Sequence, residues 1–164
     1  MLMGQKGFSL LEMVMVIVIM AILAIAAVVS FSHLTSIRVS EAANKLKADI
    51  QYAQSLAMKT RVRCGVIFSG NSYTVFENND TADPAVDPLN QRNYIVNFNT
   101  GEFRGVTITS VNFGGTPVVK FDREGTPYDG NDVALPSAVA NRRVALNNNT
   151  YVVVAATTGQ VCLP

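Results

Sequence analysis

Hydrophobic residues fall into three regimes along this chain. The first is a continuous apolar run from Phe8 to Phe31, with Glu12 as its only charged residue. In the second, Leu34, Ile37, Ala42, Leu46, Ile50, Ala53 and Leu56 recur at spacings of three to five residues. Arg38, Glu41, Lys45, Lys47, Gln51 and Gln54 fill the positions between them. That spacing places the apolar side chains on one stripe of a helix and the polar ones on the other side. No glycine or proline occurs from Phe8 to Cys64. Those residues are the strongest helix interrupters, so their absence predicts one helix over residues 9–59, roughly 75 Å long at ~1.5 Å per residue. Its first half is apolar all round and its second half is amphipathic.

The third regime begins near Arg61, where the pattern becomes alternation rich in β-branched and aromatic residues. It predicts strands at 63–68, 72–77, 94–98, 106–111, 118–122, 143–146 and 151–155, with a short last strand at 160–163. Turn signals separate them: Ser69-Gly70-Asn71, Gly114-Gly115, Asn147-Asn148-Asn149 and Thr158-Gly159. Residues 78–92, with Pro84 and Pro88, read as a surface loop, and residues 129–141 as another. A long helix followed by antiparallel strands gives an α+β fold, with the sheet packed on the amphipathic half of the helix.

Composition narrows the function classes. The chain has 164 residues, enough for one ordinary domain and an appendage. Lys and Arg total 13 against 12 Asp and Glu, a formal net charge of +1. So balanced a charge gives no general affinity for nucleic acid or anionic lipid. There is one histidine, His33, and there are two cysteines, Cys64 and Cys162, with no CxxC pair. Metal sites built from His and Cys, and Ser/His/Asp or Cys/His catalysis, have almost nothing to draw on. No cofactor, metal or catalytic residue is expected.

The apolar run has three readings. At ~1.5 Å per residue it is long enough to cross a ~30 Å hydrocarbon core, with Lys6 on the cytoplasmic side. As a cleaved secretory signal it is longer than the usual ~7–15-residue core, and the acid near its start is out of place. As a plain anchor it leaves Glu12 and Gly7 unexplained. The third reading rests on Gly7-Phe8-Ser9-Leu10-Leu11-Glu12 behind a short polar leader. This segment resembles the cleavage and assembly signature of type IV prepilins and type II secretion pseudopilins. The order of later segments is similar to the GspH/FimT-type branch. The residues that carry this are Ala43, Leu46, Ile50, Ala53, Gln54 and Ala57, a following strand over 62–68, and the closing Gly159-Gln160-Val161.

The resemblance implies a domain plan and a life cycle. Residues 1–7 would be a leader cut off after Gly7, and Phe8 would be N-methylated. Residues 8–31 would be a transmembrane and assembly half-helix, and 32–164 a periplasmic head. The subunit, a minor pilin or a pseudopilin, would sit in the inner membrane and then be extracted into a helical fibre. Glu12, the fifth mature residue, would pair with the Phe8 amine of a neighbour. Its partners would be other subunits, the prepilin peptidase and methylase, the inner-membrane assembly platform and, before assembly, the lipid bilayer. Many pilins carry a kinking proline in the apolar half; Val29 stands near that place here, which leans toward pseudopilins or minor pilins. A membrane-anchored periplasmic binding protein or enzyme is the rival class.

Smaller features follow from that placement. In an oxidising periplasm Cys64 and Cys162 are expected to form a disulfide, against the alternative of two buried free thiols. Lys59, Arg61 and Arg63 alternate and would share a strand face that could meet phosphates, as in a DNA-uptake minor pilin. The C-terminal segment 159–164 has no basic residue, so the triplet is expected to be a solvated edge and DNA is not an expected partner. Asp80, Asp83 and Asp87 in one loop, and Asp122, Glu124, Asp129 and Asp132 in another, lack EF-hand spacing and are expected to be solvated, not calcium ligands.

Overall fold

A computed structural model of the protein describes residues 9–164, without the side chains of residues 25–33. The chain divides into two compact units, residues up to Ser36 and residues Ile37–Pro164. Helix α1 runs Leu10–Thr60, one residue from the expected boundary at each end. In the first unit its side chains from Leu10 to Ala24 are all exposed.

The second unit holds the core. Val39, Ala42, Ala43, Leu46, Ile50, Ala53 and Ala57 of α1 are each at most 1% exposed. Their steps of one, three and four residues make one continuous stripe on the helix. Nine antiparallel strands follow: β1 Cys64–Ser69, β2 Ser72–Phe76, β3 Ile95–Asn97, β4 Ile108–Phe113, β5 Val118–Phe121, β6 Pro127–Asp129, β7 Arg142–Leu146, β8 Thr150–Val154 and β9 Val161–Cys162. They form two sheets. One has the order β3-β2-β1-β5-β6, the other β4-β7-β8-β9. Tyr73 and Val75 of β2, Val66 of β1, Phe121 of β5, and Val144, Val152 and Val161 of the second sheet all join the helix stripe in a single apolar cluster. The fold is the expected α+β arrangement, with the strands divided between two sheets.

Two departures have local causes. Strand β6 covers residues where no strand is expected, its last residue opening the loop expected over 129–141, because Pro127, Asp129 and Gly130 all weaken a strand pattern. A proline is tolerated at a sheet edge, and β6 is the edge strand beside β5. Residues 78–92 are only partly a surface loop. The segment folds back so that the Ala85 N–H donates to Val75 O (2.9 Å) and the Tyr94 N–H donates to Ala85 O (2.8 Å). Ala85 is fully buried as a result. Its small side chain gave no strand signal.

Gly65 fixes the centre of the first sheet. It lies opposite Phe76 on β2 and Lys120 on β5. A Cβ at this position would stand 2.2 Å from Val119 O and 2.8 Å from the Phe76 ring. Backbone and a packed ring cannot both yield, so only glycine fits. Gly65→Ala is therefore expected to destabilise the fold by about 3 kcal/mol, the upper part of the overpacking range. Chemical denaturation of wild type and variant checks this; equal midpoints would mean that β1 and β5 sit further apart.

Candidate assembly and interface sites

The N-terminal motif meets the structure at Ser9. The Ser9 carbonyl accepts from the Glu12 N–H (3.0 Å) and the Met13 N–H (3.2 Å), which opens α1. Glu12 thus lies in the first helical turn, where unsatisfied N–H groups favour a carboxylate. Large apolar side chains surround it: Leu10 is 82% exposed, Leu11 70% and Met13 58%. Gly7 and Phe8, the expected cleavage and methylation positions, lie outside the described residues. Among the described residues no helix is long and apolar enough to cross a membrane. The expected span, 8–31, runs beyond them, to Phe8 at one end and into the undescribed side chains after Ala24 at the other.

In the head, one buried carboxylate organises a polar centre that the apolar pattern did not reveal. Asp49 is 2% exposed and sits within the helix stripe. Its Oδ2 accepts from the Tyr73 hydroxyl at 2.6 Å, and its Oδ1 accepts from the Tyr94 hydroxyl at 2.8 Å. Lys45, one turn earlier, donates to both oxygens at 2.6 and 2.9 Å. Burial is costly for an ion unless it is paired and hydrogen-bonded, and here every oxygen has donors. Desolvation, reinforced by the Asp49 charge, pushes the Tyr73 hydroxyl well above its ordinary value. Desolvation also pushes Tyr94 up to about 12, with Lys45 opposing and Asp49 adding to the shift. Burial alone would lower Lys45, but its bonds to Asp49 and Tyr94 outweigh that and raise it. This arrangement locks the helix to β2 and to Tyr94, the residue before β3. A signal was present in the sequence: Asp49 is an acid on the apolar stripe with a lysine four residues before it.

A second clasp joins segments far apart in sequence. The Gln54 amide donates to Gly125 O (2.8 Å) and to Thr158 O (2.9 Å). A Cβ on Gly159 would lie 2.5 Å from the Gln54 amide nitrogen and 2.5 Å from Gly125 O. Gln54 and the Gly159-Gln160-Val161 segment, singled out separately in the sequence, are parts of one contact.

The basic triplet does not share a strand face. Lys59 lies in the last turn of α1, Arg61 in the turn after it, and Arg63 just before β1. The predicted strand began one residue early, and the helix took the residues before it. Arg63 pairs with Asp132 at 2.9 Å and stacks over Tyr128 at 4.8 Å. Lys120 shares the same Asp132 oxygen at 2.9 Å. These cations, Lys120 first, hold the Asp132 carboxyl below its ordinary value. The other acids of the two loops largely serve local turns: Asp80, Asp87, Asp122 and Asp129 each accept from nearby backbone N–H groups. Among the described residues no group of acids, cysteines and histidines could hold a metal ion.

The expected Cys64–Cys162 bridge is absent; both cysteines are free. Cys64 is fully buried on β1, with its sulfur 3.7 Å from Thr60 Oγ1 and 3.5 Å from Val62 O. Cys162 belongs to the other sheet, paired with Val153 on β8. Its neighbour Val161 is 1% exposed and faces the core, so alternation turns Cys162 outward. Burial pushes the Cys64 thiol up, with the Thr60 hydroxyl partly offsetting it.

A helix bearing an exposed apolar half, with its other half buried under antiparallel sheets, defines a pilin-like subunit. The family described as type II transport protein GspH matches residues 42–157, well over half of the chain, and the chain belongs to that family. The prokaryotic N-terminal methylation motif matches residues 2–28. The protein is thus of the GspH/FimT-type pseudopilin kind, a family of structural subunits in type II secretion. No curated protein and no solved structure matches the chain.

Two outcomes follow from the geometry. A thiol reagent should modify Cys162 in the native protein at once and Cys64 only on unfolding; simultaneous modification, or loss of both thiols in oxidised protein, would contradict the placement. The polar centre also predicts a loss of stability in alkali. In the unfolded chain Tyr94 ionises near 10, whereas in the fold it keeps its proton to about 12. The fold binds more protons across that interval, so stability is full below pH 10 and falls from 10 to 12. Denaturation midpoints across that interval should decline in wild type and decline less in Tyr94→Phe; parallel curves would contradict the assignment.

Proposed function

We propose that this chain is a fibre subunit of the pseudopilin or minor-pilin kind, with no bond chemistry of its own. The supporting observation is the apolar surface of the first unit. Ile17, Met20, Ile22 and Leu23 are each 62% exposed or more, and shorter apolar residues are exposed between them. Water is a poor neighbour for so wide an apolar surface on a helix. Lipid, or the equivalent half-helices of neighbouring subunits, would cover it.

In this reading residues 1–7 are a leader removed after Gly7, and Phe8 is the methylated N-terminus. Residues 8–31 rest in the inner membrane until assembly, and the head, 32–164, faces the periplasm. Removal of the leader creates an amine at Phe8. In a dry bundle of apolar helices, the Glu12 carboxylate of one subunit pairs with the Phe8 amine of the next. Either charge alone is costly there, so the pair selects register more than it adds strength. The peptidase, the methylase and the assembly platform act on the chain from outside.

Glu12→Leu is the discriminating variant. It removes a carboxylate from the apolar run, where a charge is disfavoured, so insertion and cleavage should persist. Incorporation into the fibre should fall sharply, and Glu12→Asp should show a milder defect. Membrane and sheared-fibre fractions from cells with wild-type partner subunits measure this. Normal incorporation of Glu12→Leu would remove the pairing mechanism.

A further inference from the structure

We propose that the C-terminal end of α1 is a docking surface for an acidic, partly apolar segment of another protein, with Arg61 as its central contact. The observation that sets this surface apart is the backbone of Arg61. Its φ is 59°, and its N–H donates to Ala57 O at 2.9 Å, closing the helix. That is the left-handed position after a helix end, where glycine is favoured because a Cβ crowds the backbone. Asn, Asp and Gln occupy the other non-glycine positions of positive φ among the described residues; Arg61 is the only cation. The helix terminus would be better served by glycine, so the arginine side chain is the part that needs another explanation.

The surroundings supply one. Arg61 is exposed and makes no ion pair among the described residues, and the same holds for Lys59. Arg61 borders two adjoining concavities. One, of about 400 Å³, is lined with Met58, Arg123 and Glu124, and one of about 310 Å³ adds Arg63 and Asp122. Arg63 and Arg123 already have carboxylate partners, and Asp122 accepts from the Glu124 and Thr126 N–H groups, so the cations here without a carboxylate in contact are Arg61 and Lys59. Met58 and Val62, 45% and 40% exposed, place apolar surface beside those cations. Cations next to exposed apolar side chains complement a segment that alternates carboxylates and apolar residues. The interleaved Asp122 and Glu124 would oppose a continuous phosphate backbone but leave room for spaced carboxylates. The proposal does not depend on whether the chain enters a fibre.

The test uses the full chain in non-ionic detergent and fluorescence anisotropy. The probes are a short labelled peptide of Asp, Glu and Leu, its Asn, Gln and Leu counterpart, and a labelled single-stranded oligonucleotide. The acidic peptide should bind with an affinity that falls as salt rises, and the neutral peptide should not bind. Arg61→Gly should weaken binding about tenfold while the melting temperature stays equal or rises. Arg92→Gln, which removes an exposed charge elsewhere, should leave binding unchanged. The proposal is overturned if wild type fails to bind the acidic peptide, or if acidic and neutral peptides bind alike. It is also overturned if Arg61→Gly binds like wild type, if Arg92→Gln weakens binding equally, or if the oligonucleotide binds more tightly than the acidic peptide through Arg61.

Discussion

Burial of one helical stripe is the constraint on which the head depends. The residues from Val39 to Ala57 that face inward are small or medium-sized, and the two sheets close over them with aromatic rings. Phe68, Tyr73, Phe98 and Phe113 pack on one another and share one cluster with the four stripe alanines, Ala42, Ala43, Ala53 and Ala57. Small side chains on the helix let strands approach closely, and large ones on the strands restore density. Leu46 and Ile50, both fully buried, each contribute about 1.5–3 kcal/mol by leaving water. Without the stripe the sheets would lose their common partner, because both contribute to the single cluster around it.

Directional contacts then select one arrangement among those that burial alone would allow. Asp49 needs both tyrosine hydroxyls, and those come from two different strand regions. Gln54 bridges the β5–β6 turn and the segment before β9 in the same way. Each contact converts a slippery apolar interface into a fixed register, since a displaced helix would strand a buried carboxylate or amide. The family relationship fits this economy: the matched region, 42–157, contains both helical anchors and their partners Tyr73, Tyr94 and Gly125, with Thr158 one residue beyond it.

The helix and most strands were legible in the sequence because they follow from periodicity. The apolar stripe, the missing glycine and proline up to Cys64, and the short valine-rich runs of β5 and β8 all signal their state locally. What escaped depends on distant partners. Strand β6 carries a proline and exists because β5 offers an edge. Ala85 is buried because the chain folds back, which no local pattern encodes. The cysteine pairing failed for a geometric reason that parity could have exposed: if Val161 faces inward, Cys162 cannot. Asp49 interrupts an apolar stripe and so hides in it, although Lys45 one turn away marks it as a paired acid. The basic triplet alternates along the sequence, yet the helix ends among its residues. Gln54 and Gly159 both stand out in the sequence, but only the fold shows that they touch.

In the proposed reading α1 serves two environments, its first half lying in lipid and later among neighbouring subunits. Intact mass spectrometry of the protein extracted from membranes of cells with an active prepilin peptidase is the decisive measurement. A single species that begins at Phe8 with one added methyl group is expected. A chain that retains Met1, or one that begins near Ala27, would contradict it.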